Sequence, residues 1–498
     1  MNVNPITRLD YPDPDVIRVE DTYYMVSTTM HFMPGCEILQ SFDLVHWEHV
    51  TYVYETLDHT DAQQLKSGQN IYGQGMWAAS LRYHEGRFCI CFVANDTRKT
   101  YLYTSEKIDG PWKKQLIEGF YHDGSLLFDE DGRNYIVYGN DEIWITELNE
   151  DLTAPKKDGL HRLLVSDHKT PELGYEGSHI QKINGYYYIF LIHSLRDRWM
   201  RTEACFYSDS LEGEFTGGDV LCDDRGYCGQ GVAQGGIVDT PDGKWYAMLF
   251  QDSGAVGRIP ILLPVTWKDH FPFFGQNGHV PEEIEVHSTR PGYIYQPLVG
   301  SDDFCNGLLP RWQFNHDPDP RYYHLDALQG TYTITTREVC TELTQAVNTL
   351  TQRMSYPSCA AEVTVDASAL KEGDVAGLCA LQSCYAAVGI TKHHGKYEVL
   401  MLDKKEDGIL DMTEGTVVES HQMDFRLEAD FCNMKDEARC YYRVNKGDWL
   451  PIGTVHKLYF KLDHFTGCRF GLFCYAAEET GGSACFRDFK YYDVDEIS

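Results

Sequence analysis

The chain has 498 residues, with 75 acidic against 43 basic side chains and a formal net charge of −32. Such a surface repels phosphate backbones and anionic lipid, which argues against nucleic-acid and membrane partners and leaves neutral ligands such as sugars. No apolar run approaches the roughly 20 residues of a membrane span.

Hydrophobic residues are 43% and aromatics 13% of the chain, with 33 Tyr. Aromatic side chains sit well on pleated surfaces, so β structure is expected. The length predicts two or three domains. The N-terminus lacks a basic stretch followed by an apolar one, so the expected location is cytoplasmic. The 16 cysteines follow no framework and read as small buried apolar residues in a reducing compartment. No Cys-x-x-Cys pair occurs, which leaves no metal site legible.

From the N-terminus, one pattern recurs over residues 12–24, 77–88, 123–135, 176–187 and 234–246. It is an apolar stretch, a turn built on Gly or Asp, and an aromatic-rich apolar strand. A period of about 50 residues with hairpin content predicts a five-bladed β-propeller. Propeller geometry brings the start of each inner strand to one axis. Asp13, Asp123 and Glu176 therefore converge, and three carboxylates in one pocket equip a site for acid/base cleavage of a glycosidic bond. Asp15, Asp129 and Asp131 are read as outward-facing structural acids. His179 is read as a structural histidine.

Residues 271–290 are rich in Pro, Gly and His, and are read as the exit from the last blade and the linker. Beyond residue 300, alternation at 331–336, 361–366, 386–390, 397–401 and 458–462 predicts short strands of an antiparallel sandwich, jelly-roll or concanavalin-like. The expected fold is all-β, with a propeller over residues 1–290 and a β-sandwich over 300–498.

The motifs resemble glycoside hydrolase family 43, whose members include inverting β-xylosidases, α-L-arabinofuranosidases and arabinanases on five-bladed propellers. Asn4-Pro5 with Tyr11-Pro12-Asp13-Pro14-Asp15 is similar to the opening motif that carries the general base, which implies that role for Asp13. Tyr121-His122-Asp123-Gly124-Ser125 resembles the motif of the acid that tunes and orients the proton donor, here Asp123. Tyr175-Glu176-Gly177-Ser178-His179 resembles the motif of the general acid, here Glu176. Gly75-Met76-Trp77-Ala78-Ala79 resembles the segment that flanks the sugar pocket. The second domain is similar to the sandwich of the β-xylosidase branch through residues 350–354, 374–382 and 471–473.

Two departures stand out. A histidine common in the fifth-blade motif is Gln234 here, and acidic residues of related sandwiches are replaced by Cys485 and Arg487. The resemblance thus implies no required cofactor, with a weakly held calcium or other ion in the channel left open. The chemistry needs a proton donor and a base on opposite ring faces, about 6.5–9.5 Å apart in the inverting geometry. A carboxylate beside the acid, Asp123, is expected to raise its pKa. Phe32 and Trp77 are expected as platforms for a sugar face, and packing between blades is the competing reading for each. Arg258 is expected on sugar hydroxyls, and Gln234 in the channel.

The expected activity is exo-acting release of xylose or arabinose from short pentose oligosaccharides. Alternatives are an endo-arabinanase or exo-galactanase, or a non-catalytic carbohydrate-binding propeller. Homo-oligomerisation is left open.

Overall fold

The five repeats form the inner strands of five four-stranded antiparallel sheets, in a computed structural model that describes residues 2–167 and 172–493. The inner strands are Asp15–Val19, Ser80–His84, Ser125–Phe128, Glu176–Ile183 and Val232–Asp239. Each is followed in sequence by the other three strands of its blade. The fourth blade, for example, continues through Tyr186–Ser194, Arg201–Ser208 and Thr216–Leu221. Its middle strands carry near-continuous buried runs such as Tyr188 to Ile192, because neighbouring blades cover both faces. Outer strands such as Lys113–Ile117 meet solvent and are polar.

Each inner strand has a residue of left-handed backbone conformation shortly before its start or within its first three positions. These are Asp13 (φ 53°), Gly75 (φ 81°), Asp123 (φ 47°), Gly177 (φ 66°) and Gln234 (φ 60°). Three of the five are not glycine, a strained choice that clusters at functional sites. Bulges interrupt the ladders beside Glu176 and Ala233. A bulge re-aims a side chain locally, here at the axial end of the blade.

Ring closure uses the N-terminus. Asn2–Val3 pairs with Glu283–Ile284. The Asn4 side chain donates to the carbonyls of Leu262 and Pro281 and accepts from the Leu262 amide. The segment read as exit and linker begins later than expected. Phe271–Phe274 is the outermost strand of the fifth blade, held by pairing with Val265–Lys268.

The second domain stacks a nine-stranded sheet on a seven-stranded one. Strand Gln422–Asp430 shows the alternation that drives this: Met423, Phe425, Leu427 and Ala429 face the core and the intervening residues do not. The core also takes Leu378, Val388, Phe470, Leu472 and Phe486. The expected strand at 458–462 is absent. The sheet strand there is Leu450–Lys457, and the chain then leaves the sheet. Its amides are satisfied elsewhere: Tyr459 N donates to Gln382 Oε1, Gly467 N to Asp10 Oδ2 and Cys468 N to the Ala255 carbonyl. Alternation alone cannot tell a sheet strand from an extended loop that packs on another domain.

That loop is one of several ties between the domains. Phe32–Met33 of the propeller pairs with Gln313–Asn315 and so becomes an edge strand of the larger sandwich sheet. Glu37 of the first blade meets Arg353 of the sandwich at 2.9 Å, both buried, and the half-buried His49 at 3.1 Å. Among the described residues no helix is long and apolar enough to cross a membrane.

Candidate active site

Asp13, Asp123 and Glu176 meet at one end of the propeller axis. Asp13 is buried, with Oδ1 3.0 Å from Nη1 of Arg258 and Oδ2 accepting from Thr28 Oγ1 at 2.6 Å. A carboxylate held this way has a fixed orientation and a fixed counter-charge. Arg258 heads a strand of the fifth blade, and its amide donates to Asp10 Oδ1. Its guanidinium lies between the rings of Phe250 and Phe465, 5.4 and 4.3 Å from their centroids. Nε and Nη2 of Arg258 are buried without a protein partner. Unpaired buried donors are costly, so this pair is equipped to receive ligand oxygens.

Asp123 is also buried, and Oδ2 accepts from the Gly177 amide at 3.0 Å. That bond joins the third blade to the residue after Glu176. Burial, with the like charges of Glu176 and Asp13, raises the Asp123 carboxyl from 3.8 to about 6, against the attraction of His122. Glu176 Oε2 accepts from Asn140 Nδ2 at 2.7 Å. Oε2 also lies 3.4 Å from Nε2 of His122, which stands 3.6 Å from Asp123 Oδ2. The Asp123 charge is the largest cause raising His122, with Glu176 adding to it against burial, and the imidazole is pushed up to about 9.

The donor atoms of His122, Asp123 and Glu176 lie within 4.8 Å of one another, the one such group among the described residues. A cation bound there would hold Glu176 ionised, which opposes an acid role.

Gln234 is buried, and its amide donates to Glu203 Oε2 at 2.7 Å. Its side chain lies against Gly177, where a Cβ would come within 2.8 Å of it. Position 177 therefore takes a glycine both for its left-handed φ and for this contact. Below the carboxylates the axis is filled by Arg82. Its guanidinium donates to Asp15 Oδ2, Ser125 Oγ and the carbonyls of Leu81, Leu126 and Ile180.

Asp15 also receives the Leu81 amide and meets His179 at 3.1 Å. Burial works to raise the Asp15 carboxyl, yet Arg82 and His179 hold it below the ordinary range. The outward reading of Asp15 is thus corrected: it is fully buried on the axis, because the pleat turns it inward two residues after Asp13. Asp129 is likewise buried, bound to Lys182 and Tyr187, whereas Asp131 is exposed. His179, read as structural, is buried with Nδ1 against Asp15 Oδ1.

The two expected platforms part company. Trp77 is half-buried, with its ring 6.1 Å from His122 and 5.4 Å from Phe465. Phe32 has 0% exposure. One face lies under the Arg469 guanidinium at 3.5 Å and the ring packs on His31 at 4.3 Å. The ring is part of the sandwich's hydrophobic packing, so no face is open to a sugar and the platform reading of Phe32 is corrected.

Several residues escaped the sequence reading. His122 is adjacent to Asp123 and was legible there. Arg201 was not: it is ion-paired to Asp252 at 2.7 Å. Burial lowers its pKa, but Asp252 raises it, with Glu176 and Asp13 adding to that effect. Phe465 comes from the sandwich and carries no motif signal.

Three comparisons bear on this geometry. Residues 3–272 match the family described as Glycosyl hydrolases family 43. Residues 301–492 match the beta xylosidase C-terminal concanavalin A-like domain. A beta-xylosidase of Formosa agariphila is 26% identical, over 99% of this chain and 89% of its own. A non-reducing end alpha-L-arabinofuranosidase of Bacteroides ovatus is 24% identical, over 82% of this chain and 79% of its own. A solved structure described as a bifunctional GH43-CE of Bacteroides eggerthii superposes with a TM-score of 0.92 at 42% identity. It covers 99% of this chain, which in turn spans 63% of that longer protein.

Proposed function

From the premise that this chain belongs to glycosyl hydrolase family 43, we propose that it is an exo-acting β-xylosidase or α-L-arabinofuranosidase that works with inversion. The observation that carries the mechanism is the division of labour among the carboxylates. Asp13, fixed by Arg258 and Thr28, is the base; it takes a proton from the water that attacks the anomeric carbon. Glu176 gives its proton to the departing oxygen on the other face. Both Asn140 and His122 engage Oε2, and among the described residues Oε1 has no partner, so Oε1 is the oxygen presented to the substrate. Asp123 orients the acid through the Gly177 amide. Arg258, with two unpaired donors beside Asp13, binds hydroxyls of the sugar whose bond is broken.

Exo action is favoured by the loop at residues 458–468. It brings Phe465 across from the sandwich to stand over Arg258 and beside Trp77. A ring there narrows the mouth on one side and favours chain ends. No required metal ion is proposed. The cationic group on the axis is the Arg82 guanidinium, bound to protein acceptors at each nitrogen.

Hydrolysis of nitrophenyl β-xyloside, α-arabinofuranoside and β-galactoside ranks the substrates. Proton NMR of fresh product, read before mutarotation, tests the mechanism. Inverted configuration is expected, and retention would overturn the roles of Asp13 and Glu176 together.

A further inference from the structure

An enzyme that frees one sugar from the end of an oligosaccharide must also hold the sugar next to it, which departs as the leaving group on the side of the proton donor. The donor's own blade carries a hairpin on that side. Glu176 pairs with Ile192, and two residues further toward the same end Ser194 pairs with Arg201. Residues 195–200 join these two strands, so the hairpin tip stands beyond Glu176 at the axial end of the blade. Trp199 lies on that tip and is 42% exposed.

Trp199 ends a chain of contacts between rings and guanidinium groups. The Arg201 guanidinium lies 5.3 Å from the Trp199 ring centroid and 5.4 Å from that of Phe250. Arg258 lies 5.4 Å from the same Phe250 ring and 4.3 Å from Phe465. The chain thus leads from Arg258, beside the base Asp13, to Trp199 on the blade of the acid. Phe250 and Asp252 point to one face of their strand, and Asp252 pairs in register with Arg258.

Arg201 is only partly used by the protein. Its Nε donates to Asp252 Oδ2 at 2.7 Å, and among the described residues Nη1 and Nη2 have no acceptor. Oδ1 of Asp252 is buried without a protein partner. Free donors beside a free acceptor suit a hydroxyl, which both accepts and donates. The ion pair carries no net charge, so the place fits a neutral sugar and not a uronate. A lone exposed tryptophan is ordinary. One that lies against a guanidinium with unpaired donors combines the apolar surface and the polar contacts that a sugar needs.

We propose that Trp199 and Arg201 form the subsite of the leaving sugar: the Trp199 ring packs on a face of that sugar, and the free Arg201 nitrogens hold its hydroxyls. The occupant is the neutral sugar next to the one released. Arg258 and Arg201 then have separate tasks, one on each side of the bond that breaks.

This inference rests on Glu176 as the acid of an exo-acting enzyme, and the experiment separates the two ideas. Rates of the wild type, Trp199→Ala and Arg201→Gln are measured on a disaccharide of the preferred pentose and on the glycosyl fluoride of the same sugar and configuration. The fluoride leaves the proposed subsite empty. On the disaccharide, kcat/KM of each variant is expected to fall about tenfold, and on the fluoride to stay within about twofold. Trp199→Ala removes an exposed ring, so its unfolding temperature is expected to match the wild type even if Arg201→Gln is destabilised. Unchanged disaccharide kinetics in Trp199→Ala refute the proposal. So does an equal loss on both substrates, which is the mark of a structural role or of contact with the released sugar. A wild type that cleaves neither substrate overturns the proposed activity, and this subsite with it.

Discussion

Replacing Asp123 by Asn should make the protein more stable and far less active at the same time. The carboxyl is buried, and burial is the largest cause of its rise from 3.8 to about 6, with Glu176 and Asp13 adding to it. The value of about 6 already contains the attraction of His122. The gap between folded and unfolded values corresponds to about 3 kcal/mol against the ionised form. The sign follows from which state ionises first. Below about pH 4 both states hold the proton and there is no cost. Between about pH 4 and 6 the unfolded chain ionises while the folded one resists, and the cost grows. Above about pH 6 it is fully present.

Asn keeps an oxygen to accept the Gly177 amide at 3.0 Å and loses only the charge. Asp123→Asn is therefore expected to gain up to about 3 kcal/mol at pH 7.5 and nothing at pH 4, read by urea denaturation at both values. Loss of the group that orients Glu176 should lower kcat on disaccharides by about 10²-fold or more. A gain equal at both pH values would refute the electrostatic account. A stabilised variant with full activity would refute the role of Asp123.

Phe465→Ala removes the ring over Arg258 and beside Trp77, and is expected to lower kcat/KM on disaccharides about tenfold, or roughly 1.4 kcal/mol. Its unfolding temperature should barely move, because the ring is partly exposed; an unchanged kcat/KM would detach the sandwich from the pocket. Glu37→Gln leaves the buried Arg353 without its carboxylate. Although burial works to raise it, Glu37 is held at about 2 by Arg353 and His49. The pair's stability is present above about pH 4.5 and is lost as pH falls toward 2, so the variant should cost about 3 kcal/mol at pH 6 and much less near pH 3. Equal destabilisation at both pH values, read from urea midpoints, would refute this. Exhaustive EDTA treatment is expected to leave the rate unchanged, since Arg82 and its acceptors fill the axis; a reversible loss above about tenfold would reveal a required ion.

The sequence by itself determined the blade count and the three acids. Each inner strand repeats a local pattern of turn and aromatic strand, and propeller symmetry carries the head of every such strand to the axis. Asp13, Asp123 and Glu176 could be placed together for that reason, although 163 positions separate the first from the last. The same logic failed where the environment comes from elsewhere in the chain. Asp15 looked outward from its local sequence, yet Arg82 of the next blade and His179 of the fourth enclose it on the axis. Phe32 looked like a sugar platform until Arg469 and His31 covered it.

Residues 458–462 alternate like a strand, but their polar groups are satisfied by partners off the sheet, so the segment becomes the loop that carries Phe465 to Arg258. Periodicity encodes which face of an element is apolar. It does not encode which distant surface that face will meet. The packing of sandwich on propeller decided that, and with it the shape of the pocket.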